Sequence, residues 1–421
     1  MLRAVVVAAV AAWSLATAPL VLAAPWSVPR DVSRPHTFID DLSIAFVRDG
    51  AGLIGWRQQD GAGADARGGD AVAARSASGG LGAARAAPRG RAGDVVVYGR
   101  SHAAVALVRP AGSNRDPQSE LRVAFGNTSG AFGRSRRVVK HPRIAPPAFA
   151  GNARGMLALA WFEDRPGEGD RVQVALRRPG QAFGPPLRLA TGLVRSVSVA
   201  VGPRGDVLVA WEGGGNVRTQ LRRAGRRRFG RADALRSSPA FSAALRTAVA
   251  GSGRAYVAWS ARLPDEGGPS YYEAAVRPAG AARFRRAQLL EQLGPERASG
   301  PLDLALTGRG RAVVAWTGER VRAAQTDASG RFGPPADISP SGAVLTDIAA
   351  APDGARLAVW MAGPLVQAAY AAPSAPFGPP EDVAAGEAAR AAFPHAGAQP
   401  VVAWRALRGG GALVQVAARS G

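Results

Sequence analysis

VSVAVGPRGDVLVAW, residues 197–211, contains the pattern that decides the fold. It consists of a short apolar strand, a tight turn with glycine, and a second apolar strand that ends in Ala-Trp. The pattern returns at 245–259, 302–316 and 346–360, in weaker copies that end at Trp56, Trp161 and Trp404, and once without its aromatic residue, ending at Val108. This recurrence predicts one structural unit that is used many times along the chain.

The length of the unit identifies its architecture. Trp56 and Trp404 are 348 residues apart and enclose seven intervals, about 50 residues per unit. A third alternating strand follows each hairpin, and then an aromatic-Gly-Pro-Pro phrase, clearest at Phe183, Phe332 and Phe377. Because proline belongs at a sheet edge or at the start of a strand, this phrase predicts an outer fourth strand. The sequence therefore predicts an all-β fold, a single β-propeller of about eight four-stranded blades. Seven blades is the alternative if the unit around Val108 is not a blade.

The two ends of the chain complement each other. Residues 24–32 match residues 375–383, which begin a fourth strand, whereas the last unit stops after its third strand. We therefore expect the N-terminal strand to complete the last blade and to close the ring, which removes the exposed edges of an open array. The repeated Trp residues stand at the ends of apolar strands, which favours wedges between neighbouring blades over a ladder that stacks on sugars.

The first residues have the layout of a signal peptide. A positive start at Arg3 is followed by an apolar stretch from Ala4 to Leu22 and by small residues at the expected cleavage site. We expect cleavage after Ala23, which leaves residues 24–421 as the propeller domain of a secreted or envelope-associated bacterial protein. An uncleaved membrane anchor is the alternative, because the apolar stretch is nearly long enough to span a bilayer.

The composition excludes several classes of site. The chain has no cysteine, which excludes disulfide frameworks, zinc-thiolate centres and cysteine nucleophiles. Its 53 Lys and Arg residues against 31 Asp and Glu residues give a net charge of +22, and Lys140 is the only lysine. Arginine recurs in nearly every repeat, with one dense run of Arg222, Arg223, Arg226, Arg227, Arg228 and Arg231. This distribution favours codon composition and solubility, with attraction to an acidic polymer or cell surface as the alternative. Nucleic-acid recognition is not predicted, because it needs more than scattered positive charge.

The chain resembles the sialidase-like propellers that are built from bacterial neuraminidase (Asp-box) repeats. The family motif, Ser-x-Asp-x-Gly-x-Thr-Trp, closes the turn between the third and fourth strands, where this chain has residues 177–183 and 327–332. The signature aspartate is present at Asp327, and Asn127 is its nearest substitute. The resemblance implies a propeller whose ligand face carries the connections between second and third strands.

Connection lengths point to the same face. The distance from the aromatic residue of each phrase to the following Trp or Val108 is 27 to 32 residues. The distance from that Trp or Val108 to the aromatic residue of the next phrase varies more, from 16 to 25 residues. The longer connections after the second strands span roughly 57–70, 109–120, 162–170 and 260–270. Connections of variable length commonly carry specificity in propellers. The predicted ligand-binding residues lie in these connections: Arg57, Asp60, Arg109, Asp116, Glu163, Asp164, Arg165, Arg262 and Asp265.

Two functions follow as hypotheses. The first is a secreted, monomeric, non-enzymatic propeller that binds a glycan, an acidic envelope polymer or an extracellular protein through one face. The alternative is a sialidase-like glycoside hydrolase, for which the resemblance implies an arginine clamp, a tyrosine nucleophile with a glutamate, and an acid/base aspartate. The residues that would supply the clamp and the nucleophile pair are Arg57, Arg165, Arg262, Tyr272, Glu266 and Glu273. No metal site, cofactor or nucleotide loop is predicted.

Overall fold

The structure is a computed structural model that describes residues 25–61, 67–88, 91–113, 116–165, 167–236, 244–262, 268–294 and 297–420. In these ranges the chain forms strands and no helix, arranged as eight four-stranded antiparallel sheets. The predicted all-β propeller is confirmed. The unit around Val108 is a complete blade, so eight blades and not seven make the ring. The predicted signal peptide lies outside the described residues.

The strands follow each other in simple order from the axis outward. β1 (Arg30–Asp31) comes first in the chain and belongs to the last blade. The first and second blades consist of β2 (Phe38–Phe46), β3 (Gly52–Asp60), β4 (Arg67–Arg75), β5 (Arg85–Ala86), β6 (Arg91–Tyr98), β7 (His102–Ser113), β8 (Asp116–Asn127) and β9 (Arg136–His141). The third and fourth consist of β10 (Ala148–Gly151), β11 (Leu157–Glu163), β12 (Asp170–Arg177), β13 (Leu187–Gly192), β14 (Ser196–Val201), β15 (Val207–Gly213), β16 (Asn216–Arg222) and β17 (Asp233–Arg236).

The second half of the ring repeats this order. The fifth and sixth blades consist of β18 (Leu245–Val249), β19 (Ala255–Arg262), β20 (Ser270–Arg277), β21 (Gln288–Gln292), β22 (Leu302–Leu306), β23 (Ala312–Thr317), β24 (Arg320–Gln325) and β25 (Ala336–Ser341). The seventh and eighth consist of β26 (Val344–Ala350), β27 (Arg356–Ala362), β28 (Leu365–Ala371), β29 (Glu381–Ala385), β30 (Glu387–Ala392), β31 (Val401–Arg408) and β32 (Gly411–Ala418). In the eighth blade the order is β1-β32-β31-β30, so β1 supplies its outer strand, as the matching ends of the sequence predict.

Clusters of buried apolar side chains pack between each blade and the next. Side chains of a second strand alternate between the two neighbouring blades, so that both faces of these strands are buried and nearly every residue is apolar. Trp316, for example, is completely buried in a cluster with Tyr272 and Ala274 of the preceding blade. The other repeated Trp residues lie in equivalent clusters with the preceding blade. The wedge role predicted for them is confirmed.

The second blade departs from the sequence alignment by one residue. Ala103 and Val105 pack in the cluster between the first and second blades, whereas Val108 packs against the cluster of the second and third. By strand alternation the completely buried Leu107, and not Val108, therefore stands where other blades have Trp. The turn before this strand explains the shift, since three residues separate β6 from β7 but five separate β22 from β23.

The turns keep the frame that the sequence suggests. Glycines such as Gly205, with φ of +96°, supply the left-handed conformation between first and second strands. Between third and fourth strands, Asp327 Oδ1 accepts a hydrogen bond from the backbone N–H of Arg331 at 2.9 Å. A hydrogen bond from the Ser329 hydroxyl is the main cause that lowers the pKa of Asp327. Asn127 Oδ1 accepts the equivalent bond from Ala131 N at 3.4 Å and a further one from Ser129 N at 3.0 Å, so both residues that resemble the family motif cap their turns.

Antiparallel order gives the ring two different ends. We call the end with the connections from second to third strands, and from each blade to the next, the hairpin face. The other end, with the first-to-second and third-to-fourth turns, is the turn face.

Two of the connections expected after the second strands are mostly not loops: β3, β4, β7 and β8 extend to residues 60, 67, 113 and 116 as paired strands. These hairpins continue although their residues are polar, because the two paired strands satisfy each other's backbone N–H and C=O groups.

Candidate functional site

The predicted ligand-binding residues that the structure describes all lie at the hairpin face, where second strands end and third strands begin. They belong to four different blades. Asp265 and Glu266 lie outside the described residues. The remainder are Arg57 and Asp60 in β3, Arg109 in β7, Asp116 at the start of β8, Glu163 in β11, Asp164 and Arg165 after it, and Arg262 at the end of β19.

In the first blade the predicted residues are engaged with their neighbours. Arg57 forms an ion pair with Asp41. Asp60 contacts His36 Nδ1 at 2.8 Å and Arg34 at 3.5 Å. The hydrogen bond with His36 is the main cause that lowers the pKa of Asp60. The first blade therefore presents charges that already neutralise one another.

The third blade repeats this arrangement. Glu163 is buried and lies 3.5 Å from Arg165 Nη2 and 3.9 Å from His141 Nε2. Arg165 also pairs with Glu168 at 3.4 Å, and Asp164 pairs with Arg143 at 3.1 Å. Two of the three proposed clamp arginines, Arg57 and Arg165, are thus held by carboxylates of their own blades, and the third, Arg262, lies at the end of β19 in the fifth blade. A clamp needs guanidinium groups that are open to the substrate carboxylate.

Tyr272 occupies a structural position in the fifth blade. Its side chain is completely buried, its hydroxyl accepts from Gly300 N at 2.6 Å, and it donates to Thr317 O at 2.5 Å. Burial raises the pKa of Tyr272 far above its usual range, which disfavours the phenolate that a nucleophile needs. Glu273 points to the opposite face of β20, where its carboxylate accepts from Trp259 Nε1 at 3.0 Å. Among the described residues no cluster of acidic and histidine side chains could hold a metal ion.

Apolar side chains are exposed on the hairpin face. In the ranges that the structure describes, seven large apolar residues are exposed, and four of them lie on this face. The four are Phe38, Leu193, Val344 and Leu407, of which Val344, Leu407 and Phe38 belong to the consecutive seventh, eighth and first blades. The other three, Val28, Leu187 and Leu289, lie on or beside the outer fourth strands. None of the seven is in a turn of the turn face.

A polar channel runs through the middle of the ring. It is a cavity of about 400 Å³, lined by first-strand residues of all eight blades. Its charged part joins consecutive blades: Arg246 Nε donates to Asp303 at 3.0 Å, and Asp303 is hydrogen-bonded to Asp347. Asp347 also accepts from Ala391 N of the eighth blade at 2.7 Å. These side chains therefore cross-link the fifth to the eighth blades along the axis.

The repeated motifs do not predict this channel, but charged residues within the first strands indicate it. Each of its charged residues interrupts an otherwise apolar first strand, as in LRTAV (245–249) and LDLAL (302–306). A charge at an inner position of one repeat, where other repeats have Val or Ser, marks a residue that faces the axis. Arg390 of β30, which donates to Thr346 O at 2.9 Å, belongs to the same group.

The shared hydrogen bond of Asp303 and Asp347 should make stability depend on pH. Burial, and then the charge of Asp303, raise the pKa of Asp347 to about 8. Because the folded pKa lies above the unfolded value, the protonated form contributes its full stabilisation below about pH 4, and this is lost as pH rises toward about 8. In Asp303→Asn the amide can donate to Asp347 at any pH. We expect its melting temperature, relative to the native protein, to rise by about 3 °C or more between pH 5 and pH 8.5.

Asp337→Asn is the matched control for this experiment. Asp337 is half-exposed and pairs with Arg322 at 2.9 Å, so the variant removes the same charge from the surface. Its melting temperature relative to the native protein should change little over the same pH range. An offset that is constant with pH in Asp303→Asn would show that the two carboxyl groups do not share a proton.

Comparisons with known proteins identify no family for this chain. No family model matches the chain, and no curated protein matches it. Among solved structures it is similar to the Hadza microbial sialidase Hz136, at 11% identity over 72% of this chain and 73% of that chain, with a TM-score of 0.38. It is also similar to YCF48 bound to D1 peptide, at 12% identity over 77% and 91%, with a TM-score of 0.40. A third is the β-propeller domain of the Trilobed protease from Pyrococcus furiosus, at 10% identity over 79% and 94%, with a TM-score of 0.41. Similarity at this level says nothing about function, and the sialidase-like assignment stays a prediction.

Proposed function

We propose that this propeller is a non-enzymatic binding protein that holds an extracellular or envelope protein against its hairpin face. The observation that carries the proposal is the pairing of exposed apolar side chains with neutralised charges on that face. Phe38 and Leu407 are exposed on adjacent blades, and the nearby Arg57 and Asp60 are already in ion pairs. Interfaces between proteins combine an apolar centre with polar groups whose charges are matched.

The shape of the face supports the same proposal. β7 and β8 have 12 residues each, whereas β15 and β16 of the fourth blade have seven. At about 3.3 Å per residue, the longer hairpin reaches roughly 15 Å further. It stands next to the extended hairpin of the first blade, whose strands have nine residues each, and the two together form a wall that the fourth blade lacks. A wall beside an apolar patch gives a partner a surface that fixes its orientation.

The hydrolase alternative receives less support. It needs an accessible tyrosine and unpaired arginines, and the environments of Tyr272, Arg57 and Arg165 supply neither. The location outside the cytoplasm is part of the proposal and rests on the predicted signal peptide. Within the described ranges, no helix has the length and apolar character needed to cross a bilayer.

A charge placed on the apolar patch tests the proposal. Leu407→Asp should weaken binding of a partner captured from an envelope extract at least about tenfold, because it buries an unpaired carboxylate at the centre of the interface. Leu289→Asp is the matched control, since Leu289 is 51% exposed on an outer strand and Leu407 is 66% exposed on the hairpin face. The affinity of the purified pair is measured by titration calorimetry.

The outcome separates the two surfaces. A partner that Leu289→Asp keeps and Leu407→Asp loses supports the hairpin face. A partner that binds Leu407→Asp and Val344→Asp with native affinity contradicts the assignment of this face. Both variants change exposed positions, so their melting temperatures should stay close to that of the native protein.

A further inference from the structure

The turn face of the fourth and fifth blades is unusually rich in arginine. Four segments form it, residues 202–206, 222–233, 250–254 and 277–287, and we call them together the arginine surface. They contain 12 arginines and two acidic residues, Asp206 and Asp233, a net charge of +10. This is nearly half of the +22 of the whole chain, concentrated on two of eight blades.

These charges are not neutralised as those of the hairpin face are. The one ion pair seen among the described residues of the arginine surface joins Arg204 to Asp206 at 3.9 Å. The side chains are instead held by backbone carbonyls: Arg223 Nη2 donates to Gly280 O at 2.8 Å and to Ala281 O at 3.0 Å. Arg204 donates to Ser252 O at 2.7 Å in the same way. A carbonyl fixes the position of a guanidinium group but leaves its positive charge in place.

A recess lies at the centre of this surface. It has a volume of about 400 Å³ and is lined mainly by arginines and one aromatic ring, namely Arg223, Arg226, Arg227, Arg228, Phe229 and Arg277. Arg222 of the same segment is 5% exposed, and by strand alternation it faces the third blade and not the recess. A recess rimmed by several exposed guanidinium groups is suited to an anionic group.

Burial and neighbouring positive charges lower the pKa of two arginines in this surface. Burial, followed by the charge of Arg223, lowers the pKa of Arg277. Burial, followed by the charge of Arg178 on the turn face of the neighbouring third blade, lowers the pKa of Arg222. Positive charges that oppose one another in the free protein are relieved when an anion binds between them.

We propose that the arginine surface binds an acidic polysaccharide, whose carboxylate or sulfate groups engage the recess and the arginines around it. Three features favour this ligand over other polyanions. The surface extends over two blades, which suits a chain with repeated charges. None of the large exposed apolar side chains lies within the four segments of the arginine surface, so these segments offer nothing that inserts into a bilayer. Its rings, Phe229 and Phe284, are partly buried against the blade clusters and are not platforms on which bases stack.

The test replaces three exposed arginines of the recess. In Arg226→Gln/Arg227→Gln/Arg228→Gln, binding to alginate, a uronate polymer, should weaken at least about tenfold at low salt. The slope of log Kd against log salt concentration should fall by about two to three, because fewer counterions are released. The native protein should also bind dextran sulfate and should not bind neutral dextran. Affinities are measured by biolayer interferometry, with melting temperatures as the check on folding.

The matched control removes the same charge elsewhere. Arg34→Gln/Arg143→Gln/Arg297→Gln changes three exposed arginines of the hairpin face, which pair with Asp60, Asp164 and Glu319. It should alter alginate binding less than about threefold. Equal loss in both triple variants would overturn the proposal, because net charge alone would then explain the attraction. Tighter binding to phosphatidylglycerol vesicles or to single-stranded DNA than to both acidic polysaccharides would overturn it too. Neither triple variant touches Leu407, so this proposal and the proposed function succeed or fail separately.

Discussion

A chain that begins at His36 should melt about 10 °C below the chain that contains residues 24–35. The missing segment holds Trp26, which is 6% exposed, and β1, which pairs with β32. It also provides the bonds from Val32 N to Val414 O and from Ser27 N to Ala418 O, both 2.8 Å long. Loss of a buried Trp costs about 3–5 kcal/mol, and the lost backbone bonds add to that. Differential scanning calorimetry measures the change.

Two further measurements make this result specific to ring closure. A synthetic peptide of residues 24–35, added in excess, should restore most of the lost melting temperature, because it can pair with the free edge of β32. Val28→Ser in the full chain should have little effect, since Val28 is 83% exposed within the same segment. If the shortened chain melts with the full one, the first strand does not couple the blades.

The ring could be predicted because its determinants are local and repeated. Most blades combine a turn glycine with two apolar strands that end in Trp, several add a proline-marked outer strand, and each of these features leaves a visible residue pattern. The closure of the eighth blade followed from the match between residues 24–32 and 375–383. The sequence aligned Val108, and not Leu107, with the Trp of other blades, because the turn between β6 and β7 is shorter than the turn between β22 and β23.

The site was less predictable, because the pairing of charges depends on which blades lie next to each other. The sequence placed Arg57, Asp60 and Arg165 where second strands end, as the structure has them, but it gave no sign that each is held by a neighbour. The sequence also predicts connections where the first two blades have extended, paired hairpins. Gly, Ser and Asp have low strand propensity, but backbone pairing across a hairpin overrides so weak a preference. Arginine is so frequent in this chain that its clustering on two blades became meaningful only once the fold was known.

Trp316→Ala should lower the stability of the ring by about 3–5 kcal/mol. Trp316 is completely buried between the fifth and sixth blades, with its ring centre 5.8 Å from that of Tyr272. Its indole N–H donates to Glu291, which also accepts from Arg322 at 3.1 Å. The substitution leaves a cavity that neighbouring strands cannot fill, because their backbones are fixed by ladder hydrogen bonds. Denaturant unfolding at constant pH measures the loss.

Two other variants test whether the loss arises from the wedge. Trp316→Phe keeps part of the ring contact with Tyr272 but removes the donor to Glu291, so it should cost less than the alanine variant and more than the control. Leu289→Ala is that control, since Leu289 is exposed on the outer strand of the fifth blade. Because each blade contacts only its two neighbours, a gap at one interface is felt by the whole closed ring. Native stability in Trp316→Ala would mean that the blades are held by their backbone ladders and small side chains alone.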